Sequence, residues 1–146
     1  MTTMQLPESK IFYTNSGGYD THSGQNQSMN NALSEVNVAL NHFIARLKAN
    51  GKWEQTVIYI WSEFGRTNAE NGSLGTDHGG ATTGIVISPQ VNGGVYGASY
   101  SSAEMQEQWL DVEYNHADIL SEIVREVGYD PTPIFGNQSR SIGLFA

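Results

Sequence analysis

Apolar residues fall in two different rhythms along the chain. Between residues 33 and 47, Leu33, Val36, Leu40, Phe43, Ile44 and Leu47 recur three and four apart. That spacing gathers them on one face of a helix. Lys48 falls in the last turn and Gly51 just beyond it, the order expected at a helix end. Two other segments are continuous apolar or β-favouring runs. Ile11-Phe12-Tyr13-Thr14 stops at the turn signal Asn15-Ser16-Gly17-Gly18, and Thr56-Val57-Ile58-Tyr59-Ile60-Trp61 follows the helix. Both read as strands, and the second is apolar on both parities, as in a strand covered on two faces.

Strand, helix and strand in about 50 residues describe a βαβ unit, with parallel strands and a right-handed crossover. Gly84-Ile85-Val86-Ile87-Ser88 reads as a further strand, ended by Pro89. A Gly/Asn/Thr-rich loop of about 20 residues, Ser62 to Thr83, separates the last two strands, and a loop of that length is usually functional or mobile. Near the C-terminus, Asn115 is placed to cap a helix with Asp118 three residues on. Ile119, Leu120, Ile123, Val124 and Val127 supply its apolar face, and Gly128 ends it. The pattern predicts an α/β fold, a mostly parallel sheet flanked by helices, in one domain spanning residues 1–146.

Composition narrows the partners. The 146 residues carry 7 Lys+Arg against 15 Asp+Glu, a formal net charge of −8. Such a chain offers no basic stripe to a phosphate backbone, so binding of nucleic acid by charge is disfavoured. With 38% hydrophobic residues the chain is not a disordered polymer. No apolar run reaches the roughly 20 residues of a spanning helix, so no membrane span is expected. There is no cysteine, which removes disulfides, thiolate nucleophiles and cysteine metal sites from consideration. Met1 to Lys10 lack the charged-then-apolar pattern of an export leader.

Chemistry-bearing residues cluster at the predicted strand ends. Gly17-Gly18-Tyr19-Asp20-Thr21-His22 begins where the first strand stops, and Ser62-Glu63-Phe64-Gly65-Arg66 where the second stops. Parallel strands would bring both to the carboxyl edge of the sheet, where open α/β sheets bind ligands. Gly75-Thr76-Asp77-His78-Gly79-Gly80 precedes its strand. It reaches the same edge only if residues 84–88 run antiparallel to residues 56–61, and that arrangement is expected. Asp20, His22, Glu63, Asp77 and His78 then form a carboxylate and imidazole cluster. Mixed nitrogen and oxygen donors suit zinc, manganese or iron better than calcium. Arg66 has the planar guanidinium that matches phosphate or sulfate, and Ser62 lies beside it. Ser62 and Thr76 are the hydroxyls next to the cluster, with no base marked in the sequence to activate either. His42 lies off the apolar stripe of its helix and reads as a surface residue. His116 stands at a helix start, where the dipole disfavours a cation. Trp53, Trp61 and Trp109 read as packing groups.

In order and spacing, the three motifs Gly17–His22, Ser62–Thr67 and Gly75–Gly79 resemble the bacterial domain-of-unknown-function family 1501, itself similar to the alkaline phosphatase and sulfatase superfamily. The resemblance runs from about Ile11 to Gly128 and includes the helix from His116. It implies a metal-dependent hydrolase or phosphomutase of phosphate or sulfate esters, exported in bacteria, with zinc or manganese as cofactor. Asp20 and His22 resemble the aspartate and histidine of one metal site, and His78 resembles the late histidine that completes it. Glu63 stands where the superfamily has an aspartate. Phe64 stands where it has a histidine ligand, which removes a donor from a second site. A single site of Asp20, His22 and His78 is therefore expected. Because the superfamily nucleophile precedes the first strand seen here, the resemblance also implies that the chain is the C-terminal part of a larger alkaline phosphatase-like domain.

Two functions stay open on these residues. One is a metal-dependent hydrolase-like domain acting on an anionic phosphate or sulfate ester, with Arg66 and Ser62 on the substrate and Asp20, His22, Glu63, Asp77 and His78 around the metal. The other is a non-catalytic binding or assembly module that keeps the fold, pairing with a second copy or with a missing N-terminal chain through an exposed sheet edge.

Overall fold

A computed structural model describes residues 11–146. The absence of a leader, read from Met1 to Lys10, lies outside the described residues. The longest element is helix α1, Gln25–Ala49. Its end follows from the sequence. Gly51 takes a left-handed φ of 64°, its N–H donates to Lys48 O, and Lys52 N–H donates to Leu47 O. Two carbonyls that the helix leaves open are thereby satisfied, as in a Schellman motif. At the other end, Gly24 offers no side-chain cap. Gly24 and Gln25 instead donate their N–H groups to Ser73 O and Leu74 O, which ties the helix start to the long loop.

Strand β1, Ile58–Ile60, follows α1 after a short 3-10 turn at Trp53–Gln55. It pairs antiparallel with β4, Ile85–Ile87, in the register Ile58 to Ile87, Tyr59 to Val86 and Ile60 to Ile85. This pairing brings the end of β1 and the start of β4 together, so the segment from Ser62 to Gly84 leaves and returns at one edge. Within that segment the sequence pattern indicates only a loop, yet the structure holds a short hairpin there. Strand β2, Gly65–Arg66, pairs antiparallel with β3, His78–Gly79. Gly79 is needed for the approach, because a Cβ there would press on the Arg66 carbonyl.

The parallel partner of β1 expected from the sequence is not present among the described residues. Both sheets there are two-stranded and antiparallel. Residues 11–14 form no strand, and Ile11 is 96% exposed and Phe12 86%. A β-favouring run is not sufficient for a strand: its backbone N–H and C=O groups need a neighbour to pair with. Without that pairing no βαβ unit is present among the described residues.

The chain divides into two compact units, one made of Ser16–Val91 with Gly97–Glu113, the other of Asn92–Tyr96 and Tyr114–Ala146 with the described residues up to Asn15. In the second unit, helix α2, His116–Glu126, opens with the expected reciprocal cap. Asn115 accepts from Asp118 N–H, and the Asp118 carboxylate accepts from Asn115 N–H. The most buried face of α2 is polar, however. Asp118, Ser121 and Glu122 are its buried residues, while the predicted apolar positions are only partly covered. Asp118 accepts from the Arg140 backbone N–H at 2.7 Å. Glu122 accepts from the Ser141 hydroxyl at 2.9 Å and from the consecutive N–H groups of Ile142, Gly143 and Leu144. Four donors on one carboxylate clasp the C-terminal segment against the helix. The short helix α3, Thr132–Phe135, follows Pro131. Leu144, 6% exposed, and Pro131 are the buried apolar side chains among the described residues.

Candidate metal centre

Three positions converge within the first unit. Asp20 and His22 come from the segment before α1, and His78 from β3. The Asp20 Oδ1, His22 Nε2 and His78 Nε2 atoms lie within hydrogen-bond range of one another. The separations are 2.8 Å from Asp20 to His78, 3.0 Å from Asp20 to His22, and 3.2 Å between the two imidazoles. All three residues are exposed. They are the one group of three or more histidine or carboxylate side chains among the described residues placed to share an ion.

The surrounding residues fix these donors. His22 Nδ1 lies 3.1 Å from Asp77 Oδ1 and Nε2 lies 3.0 Å from Asp20 Oδ1, so a carboxylate faces each ring nitrogen; a proton on Nδ1, shared with Asp77, would leave the Nε2 lone pair to an ion in the cluster. Asp77 is in turn held by Asn71, whose amide donates to Asp77 Oδ1 at 3.3 Å and to His22 O at 3.0 Å. The Asn71 side-chain oxygen accepts the N–H groups of Ser73 and Gly75. At Gly75 a Cβ would overlap the His22 backbone, so glycine there is a requirement of the close approach. The Phe64 ring stacks on His78 with centroids 4.0 Å apart and 21° between planes, which restrains the orientation of that imidazole.

Arg66 is occupied by the fold. Its guanidinium donates to Thr76 O at 2.8 Å, to Tyr19 O at 2.6 Å and to Asp20 Oδ1 at 3.0 Å, and it lies 5.0 Å from the Phe64 ring centre. With 17% of its side chain exposed, it braces Asp20 from behind. The hydrogen bond from His78 holds the Asp20 carboxyl below the usual carboxylate range; residual desolvation opposes this and the Arg66 bond adds to it. Asp77 is likewise lowered, first by the bond to His22 and then by Asn71. Both carboxylates therefore remain ionised to lower pH than ordinary aspartates.

Of the residues singled out from the sequence, Asp20, His22 and His78 meet as donors, while Asp77 meets His22 from outside the group. Glu63 is exposed and does not join them. Ser62 donates to the Phe64 carbonyl at 2.9 Å, and Thr76 donates to Gln25 Oε1 at 2.8 Å. Two residues with a part in the arrangement, Asn71 and Phe64, escaped sequence reasoning as site residues. Asn71 stands in an Asn-Gly turn and reads as loop, and Phe64 reads as a missing ligand rather than as a wall.

The donor chemistry fits a divalent cation. Asp20 Oδ1 and the Nε2 lone pairs of His22 and His78 would hold such an ion, and Asp77 would be the outer partner that a metal-bound imidazole ordinarily has.

Among the described residues no helix is long and apolar enough to cross a membrane. No curated protein and no solved structure matches the chain. The sequence profile of one family, described as protein of unknown function (DUF1501), matches residues 4–145, and the chain belongs to that family.

Proposed function

We propose that the chain is a metal-dependent hydrolase-like domain for phosphate or sulfate esters, the C-terminal part of a larger alkaline phosphatase-like fold whose mostly parallel sheet is completed by further strands. The observation that carries this reading is the convergence of Asp20 Oδ1, His22 Nε2 and His78 Nε2 within 3.2 Å, with His22 held by Asp77 from behind. Asp20, His22 and His78 would hold zinc or manganese. Such an ion supplies a Lewis acid and a template for an anionic ester. Asp77 sets the His22 tautomer, Phe64 and Arg66 fix His78 and Asp20, and the exposed side of the cluster admits the substrate. With Arg66 committed to Tyr19, Thr76 and Asp20, its part in anion binding would be through the charge it adds.

A second reading, a binding or assembly module that keeps the fold, draws on a different observation. Helix α1 has no buried residue along its 25 positions, and Leu33 and Phe43 on its apolar stripe are half exposed. One experiment separates the two. Metal-loaded protein is assayed with chromogenic phosphate and sulfate esters beside a His78→Ala variant and a chelated sample. Turnover lost in both controls supports the hydrolase. Folded, metal-loaded protein that turns over neither ester favours the module, and a mass in solution above that of one chain would then identify assembly as its role.

A further inference from the structure

In the second unit a buried charge is held by neutral groups. The Glu122 carboxylate, on a residue 8% exposed, accepts from the Ser141 hydroxyl and from the consecutive N–H groups of Ile142, Gly143 and Leu144. Successive N–H groups turned toward one point form a nest, a concavity that binds anions through backbone dipoles. Gly143 supplies the left-handed residue of that turn, at φ 81°. We infer that Ser141–Leu144 is a carboxylate-binding site in its own right, with the Glu122 side chain as its resident ligand and a small free carboxylate as the class of molecule that takes its place.

Contacts other than those to Glu122 aim the donors. Through its carbonyl groups the same segment is tied to Asn92 and Tyr96. Leu144 O accepts from Asn92 N–H at 2.7 Å, and Gly143 O accepts from the Asn92 side-chain amide at 3.1 Å and from the Tyr96 hydroxyl at 3.4 Å. Just before the nest, the Arg140 N–H donates to Asp118 at 2.7 Å. The segment therefore stays tethered on both sides of its N–H groups when the Glu122 side chain is taken away. A route for a free ligand exists as well. A cavity of about 300 Å³ is lined by Glu122, Ser141 and Gly143, with Arg125, Glu126 and Phe145 around it. The charges of Arg125 and Glu126 offset each other, which leaves the nest as the feature that selects an anion.

Size narrows the ligand. Glu122→Ala clears a CH2 group and the carboxylate, and Glu122→Gly clears one carbon more. Because a van der Waals gap replaces a covalent bond, the alanine variant has room for formate and the glycine variant for acetate. Formamide has the shape of formate without its charge, so it separates recognition of an anion from filling of a hole.

Amide exchange at residues 142–144 of the full chain, at neutral pH, is the readout. In Glu122→Ala these amides should exchange faster than in wild type, and sodium formate at millimolar concentration should slow them again. At about ten times its half-saturating concentration the slowing should be about 10-fold. Sodium chloride and formamide at equal concentration should restore nothing, and wild type, with its site filled, should respond to none of the three. Acetate should rescue Glu122→Gly in the same way. A variant that folds only when its carboxylate is present would support the site equally. Protection restored as well by chloride or formamide would overturn the inference. So would variants whose folding and exchange neither formate nor acetate changes.

Discussion

A histidine becomes a useful ligand when something else holds its second nitrogen, and Asp77 does this for His22. The aspartate carries no ligand atom into the cluster, and a proton shared between it and His22 Nδ1 would leave the Nε2 lone pair facing inward. Replacing it with asparagine keeps the shape and allows the amide to present either an oxygen or an NH2 group to Nδ1, so the tautomer is no longer enforced. Asp77→Asn is expected to bind metal about 10–100-fold more weakly than wild type, measured by competition with a chromogenic chelator. An unchanged affinity would remove Asp77 from the site. Much of this scale was legible in the sequence: Asp20-x-His22 and Asp77-His78 stand out because they sit beside glycines that permit close approach. What distinguishes a ligand from the residue that orients it is a distance of a few ångströms, which residue type does not encode. Glu63 and Asp77 look equivalent as carboxylates, and only the fold separates them.

At the scale of elements, two short constructions fix the geometry. The first is the loop between β2 and β3, where Asn71 bridges Asp77, His22 and the backbone of Ser73 and Gly75. A methyl group at position 75 must push the His22 backbone away. Gly75→Ala is therefore expected to cost about 1–3 kcal/mol of stability, read as a lowered Tm, and to weaken metal binding alongside. The second is the clasp of α2. Burial works to raise the Glu122 carboxyl, but the N–H groups of Gly143, Ile142 and Leu144 and the Ser141 hydroxyl outweigh it and hold the group below the ordinary carboxylate range. A carboxylate with a lowered folded-state pKa stabilises above its unfolded value and loses that contribution as pH falls. The clasp is thus complete above the ordinary value of 4.5 and opens as the pH drops below it. Amide exchange at residues 142–144 should accelerate on acidification, and Glu122→Gln should open the same segment at neutral pH at a cost of about 2–3 kcal/mol. Exchange that does not respond to either change would contradict the clasp. The helices were readable because their ends carry local signals: Gly51 for α1, Asn115 and Asp118 for α2. The β2–β3 hairpin and the clasp were not, because both depend on pairing between residues that are distant in sequence.

For the whole molecule, the pattern of apolar residues promised more core than the described residues bury. Ile11, Phe12 and Tyr13 remain exposed, and the stripe of α1 is covered only in part. A β-favouring run acquires a strand only when a neighbouring strand accepts its hydrogen bonds, and that is the information the local pattern at Ile11–Thr14 lacked. The antiparallel pairing of Ile58–Ile60 with Ile85–Ile87 has a firmer consequence, since it returns the long loop to one edge and lets His78 reach Asp20 and His22. Membership of the DUF1501 family covers residues 4–145 and leaves the chemistry to be read from this cluster. Asp20, His22 and His78 are proposed to hold one divalent ion together. Metal analysis of purified wild-type chain, beside His22→Ala and His78→Ala variants that retain wild-type helical content, tests it directly. One tightly held ion per wild-type chain and none in either variant is the predicted result. A folded wild-type chain that holds no divalent ion after incubation with zinc or manganese, or variants that hold as much as wild type, would contradict it.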